Sequence, residues 1–98
     1  MYKSLILPLA KEDIREAAKW YNRQQKGLGK RFTAEVREKV HFIRQHPKAS
    51  NVRYKNVRTT VLNVFPFMVH YTIDEKKKTI IVSAVLHTSR DPELWKTR

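Results

Sequence analysis

The sequence contains no cysteine and only two glycines in 98 residues. The first absence excludes a disulfide scaffold, a thiolate metal site and a cysteine nucleophile. The scarcity of glycine excludes a glycine-rich loop of the kind that holds phosphate groups. His41 and His46 are five positions apart on a predicted helix, not the four that would align them on one face. We therefore predict no metal site and no cofactor.

Long apolar runs are also missing. The run from Leu5 to Ala10 is interrupted by Pro8, and the run from Ile80 to Leu86 contains Ser83. Both fall far short of the roughly 20 apolar residues that a helix needs to span a bilayer. The expectation is a cytoplasmic protein that does not work in a membrane.

Acidic residues are few, and this gives the chain its strongest compositional signal. There are 9 Asp and Glu against 21 Lys and Arg, a formal net charge of +12. No acid occurs between Lys39 and Ile73, where the cations are Lys39, Arg44, Lys48, Arg53, Lys55 and Arg58. Such a chain attracts polyanions, so nucleic acid, an acidic protein and an anionic membrane surface all fit its charge, and a face of solvated charges fits as well.

Apolar periodicity of the helical kind marks the first half of the chain. A short strand at Tyr2–Leu7 precedes two helices, at about Ala10–Gln25 and Lys30–Gln45, whose apolar residues recur three and four positions apart. Gly27-Leu28-Gly29 is a turn signal between them. Trp20 and Phe42 flank the apolar stripes and are interpreted as core or partner contacts. These elements form a helical hairpin.

From Asn51 onward the period changes to two, which is typical of strands. Strands are predicted at about Val57–Val64, Phe67–Ile73 and Thr79–His87, with a turn at Asp74–Lys78. The length allows one domain, residues 1–98. The prediction is a single α+β domain of order β-α-α-β-β-β, with the helical hairpin on one face of a mainly antiparallel sheet.

Strand pairing across the last turn predicts which side chains of the sheet point away from the helices. If Ile73 pairs with Ile80, then Tyr71 faces Val82, Val69 faces Ala84 and His70 faces Ser83. The residues predicted on the open face of the sheet are Met68, His70, Thr72, Ile81, Ser83 and Val85. His87 shares this face if the last strand is regular. The face that shows Arg58 depends on the loop at Phe65-Pro66 and stays open.

The order and spacing of several segments resemble the RelE/ParE toxins, and more closely the ParE-like plasmid stabilization proteins. The segments are Ala10-Lys11-Glu12-Asp13-Ile14, Gly27-Leu28-Gly29-Lys30-Arg31-Phe32, His46-Pro47, Asn56-Val57-Arg58, Phe65-Pro66-Phe67-Met68-Val69-His70-Tyr71, and Ala84 to Trp95. The resemblance covers nearly the whole chain. It implies the same fold and a toxin that a co-expressed antitoxin neutralises.

The resemblance also implies two possible targets. RelE-like members cut messenger RNA in the ribosome, whereas ParE-like members poison DNA gyrase. RelE-like nucleases use Lys, Arg and Tyr on the open sheet face, including an Arg in the third-strand segment. The matching segment here, Phe65-Pro66-Phe67-Met68-Val69, has no Arg. This departure favours a ParE-like toxin acting on gyrase over a ribosome-dependent endoribonuclease, and a non-toxic basic nucleic-acid-binding module is a third hypothesis.

Candidate site residues follow from charge, proton chemistry and the resemblance. The catalytic candidates, should the protein be an enzyme, are His87, Arg90, His70 and Arg58. The candidates for binding a partner or nucleic acid are Arg53, Lys55, Arg58, Arg90 and Trp95. Structural roles compete with these: a lone strand histidine is more often structural, Arg90 is also placed to bind Asp91 or Glu93, and Trp95 to dock the end of the chain on the sheet.

Overall fold

The first strand and the first helix meet at a proline. A computed structural model describes residues 1–97, and for residues 94, 96 and 97 it describes the backbone only. Strand β1 spans Lys3–Ile6 and helix α1 spans Pro8–Gln24. Proline suits the first helical position, because its φ is already helical and the first turn has no use for its missing N–H. The helix therefore begins two residues before the predicted Ala10.

Helix α2, Leu28–Gln45, packs closely against α1 from its first turn. Gly27 turns the chain with φ at +89°, in the left-handed region that glycine enters without steric cost. Gly29 lies against α1: its N–H donates to Asn22 Oδ1 at 2.9 Å, and a Cβ there would collide with the Ala18 carbonyl oxygen. The predicted turn and helical hairpin are confirmed.

The remaining chain completes a sheet of five strands within the described residues. The elements are β2 (Val52–Tyr54), β3 (Val57–Val61), β4 (Phe67–Asp74), β5 (Thr79–His87) and a 3₁₀ helix (Pro92–Thr97). The sheet order is β1-β5-β4-β3-β2, with β1 parallel to β5 and the other pairs antiparallel. The predicted fold is confirmed, with β2 as an additional strand and with β3 ending three residues early. Strand β2 was not predicted, because its three residues are too few to show the alternation that is typical of a strand.

A bulge in the β4–β5 pair shifts the predicted register. The pairing joins Ile73 to Ile80 and Tyr71 to Val82 as predicted, but it joins His70 to Ala84 and Val69 to Val85. The predicted pairs of His70 with Ser83 and of Val69 with Ala84 are wrong, because β5 accommodates one extra residue at Ser83.

This shift reverses the face of every later residue in β5. Val85, predicted on the open face, is buried beneath the helices, and Ala84, predicted beneath the helices, lies on the open face with Met68. His87 pairs with Phe67, and their ring centroids are 5.2 Å apart on the helix side. The predicted place of His87 on the open face is therefore wrong.

The main core lies between the helices and the sheet, and aromatic rings fill one end of it. Phe32 contacts Phe65 and Phe67 edge-to-face at 5.3 and 5.0 Å, and Tyr21 contacts Phe65 at 4.8 Å. Such edge-to-face pairs add to the stabilisation from burial. Within residues 1–97, neither helix has the length and apolar character that crossing a membrane requires.

Candidate functional site

A smaller apolar cluster covers one end of the open sheet face. The 3₁₀ helix carries Trp95 onto this face, where the side chain is only 5% exposed and clusters with Met68, Ala84 and Leu86. The guanidinium of Arg53 lies over the Trp95 ring at 5.4 Å, a cation–π arrangement. Trp95 is thus buried by the sheet and by Arg53.

His70 lies beneath this cover on the open face. Its side chain is 0% exposed, its Nδ1 is 2.9 Å from the Tyr54 hydroxyl, and its ring meets Trp95 edge-on at 4.9 Å. Tyr54 belongs to β2, the strand that the sequence did not predict, so its place beside His70 was missed. The one available signal was an aromatic residue between two cations, Arg53 and Lys55.

Arg58 lies on the opposite side of the sheet. It pairs with Tyr71, whose ring is buried beneath the helices, and directly opposed residues share a face. Its Nη1 donates to the Ser50 carbonyl oxygen at 2.6 Å. Arg58 therefore fixes the path of the loop that leads into β2.

His87 and Arg90 lie at the end of β5, facing α1. The Nδ1 of His87 accepts hydrogen bonds from the Ser89 N–H at 3.0 Å and from the Ser89 hydroxyl at 2.7 Å. Because Nδ1 is the acceptor, the neutral ring carries its proton on Nε2. Both residues line a cavity of about 380 Å³, whose other charged lining residues are Glu12, Asp13 and Glu16. The four catalytic candidates are thus spread over both faces of the sheet.

The predicted binding cations are divided in the same way. Arg53 and Lys55 are exposed at the β2 edge, and Arg58 shares a small cavity with Lys48 and Asn56.

Glu75 also lines this cavity. The hydrogen bond from the Tyr2 hydroxyl, followed by the charges of Lys48 and Lys78, holds the pKa of Glu75 below its ordinary value. Among residues 1–97, no three His, Asp or Glu side chains are grouped as metal ligands.

Another cavity lies at the other edge of the sheet, between β1 and the two helices, and is called the β1 groove below. Its volume is about 610 Å³. Its lining residues are Ser4, Ile6, Ile14, Thr33, Val36, Arg37, Glu38, Val40, His41 and Arg44. Sequence reasoning missed this groove because its residues come from three separate elements. No local pattern joins them.

Several solved structures share this fold. A chain of the chromosomal ParDE TA system from P. aeruginosa superposes with a TM-score of 0.80 and 17% identity, over 91% of this chain and 98% of that chain. The isolated E. coli RelE toxin gives 0.69 and 15%, over 99% and 95%. A chain of the intact E. coli RelBE toxin-antitoxin complex gives 0.69 and 16%, over 92% and 100%. At these identities the likeness shows the fold, which is that of small RelE/ParE toxins.

The family follows from the sequence. Residues 5–92 match the family model described as the ParE toxin of the type II toxin-antitoxin system parDE. No curated protein matches the chain significantly. The chain belongs to the ParE toxin family of type II toxin–antitoxin systems, and the predicted resemblance to the RelE/ParE toxins is confirmed.

Proposed function

We propose that this ParE-family toxin acts by binding its target, that the target is DNA gyrase, and that an antitoxin holds the toxin inactive. The observation that carries the proposal is the dispersal of the catalytic candidates. His70 is buried under Trp95 on the open face, whereas Arg58 and His87 face the helices.

Cleavage of RNA by its own 2′-hydroxyl requires a base, an acid and cations around one phosphate. Groups on opposite faces of a sheet cannot meet at one phosphate. The third-strand segment Phe65–Val69 also lacks the Arg that RelE-like nucleases carry there. Both observations favour a toxin that acts by binding its target over one that cleaves RNA.

The antitoxin partner is supported by the family and by charge. A type II toxin is encoded with an antitoxin, and two similar structures are those of a ParDE system and of a RelBE toxin-antitoxin complex. A net charge of +12 favours rapid capture of an acidic segment. Such a segment can fold as it binds.

Induced expression tests the toxin and the antitoxin together. We expect growth arrest on expression of this chain alone and normal growth when the adjacent open reading frame is co-expressed. Uninterrupted growth with the chain alone, at a verified protein level, would refute the toxin assignment for this copy.

A RelE-like ribosome-dependent endoribonuclease is the second candidate. It is favoured by Tyr54 and His70, whose hydrogen bond at 2.9 Å joins two groups capable of proton transfer on the open face. Toeprinting on translating ribosomes separates the candidates: intact message in the presence of the toxin excludes the nuclease, and new primer-extension stops at cut sites within the message support it.

A further inference from the structure

A group of lysines lies at one end of the sheet. Lys55 begins the short turn between β2 and β3, and the turn between β4 and β5 contains three successive lysines, residues 76–78. Because β3 runs antiparallel to β4, the first residue of β3 lies beside the end of β4. Lys3 of β1 pairs with Thr79, directly after the second turn. Lys3, Lys55 and residues 76–78 together are called the turn end below.

Most of this positive charge faces solvent without a counter-charge. Lys55, Lys76 and Lys77 are exposed, and none of them forms a salt bridge within residues 1–97. Two carboxylates lie beside them, and both have partners in the toxin. Asp74 accepts a hydrogen bond from the Lys77 N–H at 3.1 Å, and Glu75 forms ion pairs with two neighbouring lysines, each at 3.7 Å. The turn end therefore carries an excess of positive charge.

Two lysines of the turn end have a left-handed backbone conformation. Lys55 and Lys78 each have φ at +49°, and they are the two non-glycine residues with positive φ in the described chain. This conformation is uncommon for a residue with a side chain, and turns between paired strands favour glycine there. Such strain is typical of a functional surface. The sequence thus keeps a charge at two positions where glycine would give the more relaxed turn.

The guanidinium groups near the turn end are already engaged, so lysine supplies the free charge. Arg44 Nε donates to the Tyr2 carbonyl at 2.7 Å, and Arg58 Nη1 donates to the Ser50 carbonyl at 2.6 Å. A planar guanidinium recognises a carboxylate through two directed hydrogen bonds, whereas an ammonium group contacts phosphate as a point charge. The free groups therefore suit a row of phosphates better than the carboxylates of an acidic protein.

Tyr2 is the aromatic ring that contacts these lysines, and its face and its hydroxyl are both occupied. Lys78 Nζ lies 5.5 Å from the ring centroid, and the hydroxyl donates to Glu75 at 2.9 Å. Proteins bind single strands by stacking the bases on open rings, so the turn end favours the backbone of a duplex. Five strands make an edge about 19 Å wide. A duplex carries a charge about every 1.7 Å, so several phosphates face this edge.

We propose that the turn end binds the phosphate backbone of the duplex DNA that gyrase holds. Backbone contacts carry no base-sequence information, so the toxin binds any duplex in this way. The DNA contact adds to the contact with the enzyme, and two linked contacts hold the toxin on its target more firmly than either alone. The inference rests on the proposed function, because gyrase is what brings duplex DNA to the toxin.

A matched pair of double variants tests where the DNA contact lies. Lys55→Gly with Lys77→Ala removes two charges at the turn end and is called the turn-end variant. Lys26→Ala with Lys30→Ala removes two charges from exposed positions near the start of α2, whereas the other end of α2 contacts Tyr2. Both variants have the same net charge, so a difference between them reports position and not overall attraction.

Fluorescence anisotropy with a labelled duplex of about 20 base pairs measures binding of the full-length toxin over a range of salt concentrations. We expect the turn-end variant to bind about tenfold more weakly and the control variant to stay within about threefold of the parent. The slope of log K against log salt should fall in magnitude by about 2 for the turn-end variant alone, because each lost phosphate contact removes about 0.9. Equal losses in the two variants, or tighter binding of a single-stranded RNA of the same length, would overturn the inference.

Thermal unfolding separates a lysine kept for function from one kept for the fold. Lys55→Gly relieves the left-handed backbone, so we expect an unfolding midpoint at or above that of the parent together with weaker DNA binding. Lys55→Ala removes the same charge and keeps the strain, so we expect the same weakening of DNA binding with a lower midpoint. A lower midpoint for Lys55→Gly than for Lys55→Ala would contradict the strain that supports the inference.

Gyrase assays separate the inference from the proposed function. We expect the turn-end variant to need about tenfold more protein than the parent to inhibit supercoiling, and the control variant to match the parent. Equal inhibition by the two double variants overturns the DNA contact and keeps gyrase as the target. Duplex binding through the turn end by a toxin that leaves gyrase fully active supports the DNA contact and refutes gyrase as the target.

Discussion

Tyr71 illustrates how a buried polar group joins separate parts of this fold. Its ring is fully buried in the main core, and its hydroxyl donates to the Pro47 carbonyl at 2.8 Å, just after α2 ends. Burial raises the pKa of Tyr71 above its ordinary value, although hydrogen bonding with Ser50 and the charge of Arg58 act in the other direction. The hydroxyl thus ties β4 to the end of the helical hairpin.

The variant Tyr71→Phe tests this tie. At neutral pH we expect the free energy of unfolding to fall by about 1–2 kcal/mol, because the Pro47 carbonyl loses its donor. The pKa is higher in the folded state, so the stability linked to Tyr71 is complete below the unfolded value of about 10 and is lost as pH rises through the folded value. Urea unfolding from pH 7 to 11 measures both effects, and a variant as stable as the parent would contradict them.

His70 and His87 form a natural contrast, since one is buried and the other exposed. His70→Ala removes a fully buried ring packed against Tyr54 and Trp95, and we expect a loss of about 2–4 kcal/mol. His87→Ala removes an exposed ring, and we expect a change within about 0.5 kcal/mol. Thermal unfolding of both variants checks the order. Equal losses would argue against the burial of His70.

The helices were predictable because the apolar residues of each helix lie on one face. Phe32, Val36, Val40 and Ile43 recur at helical spacing, and all four are buried. The sequence of β5 does not show which of its faces is buried, because Ile80-Ile81-Val82 and Ala84-Val85-Leu86 place apolar residues on both faces. Either register buries apolar area, so the bulge at Ser83 leaves no signal in the pattern.

The parts of the candidate site that were predictable lie in segments with a recognisable sequence pattern. His70 and Trp95 lie in segments that carry the family resemblance, and both were candidates. Tyr54 lies in a strand too short for a period. The β1 groove combines β1 with both helices, so its lining depends on tertiary packing.

The close approach of the two helices at Gly29 makes a prediction about the hairpin. Gly29→Ala would drive a methyl group into the Ala18 carbonyl oxygen, and we expect a loss of more than about 2 kcal/mol. Gly27→Ala meets no atom within 4 Å, and its cost of about 1 kcal/mol comes from the left-handed backbone alone. Denaturant unfolding compares the two. A smaller loss for Gly29→Ala than for Gly27→Ala would contradict the packing.

Charge of one sign dominates the protein's long-range behaviour. A net charge of +12 steers acidic partners toward the surface, and salt screens that attraction beyond a few ångströms. Raising the ionic strength from about 0.05 M to about 0.5 M should lower the association rate constant with the antitoxin about tenfold or more, with a smaller change in dissociation. Stopped-flow mixing measures this rate constant, and an association rate constant that does not depend on ionic strength would contradict electrostatic steering.

Inhibition of DNA gyrase is the most direct measurement of the proposed mode of action. Purified toxin is added to gyrase and relaxed plasmid, with and without an equimolar amount of its antitoxin. We expect supercoiling to be lost, cleaved DNA complexes to accumulate, and the antitoxin to reverse both effects. Full supercoiling with the toxin in excess, together with cut message on translating ribosomes, would contradict a toxin that acts by binding gyrase.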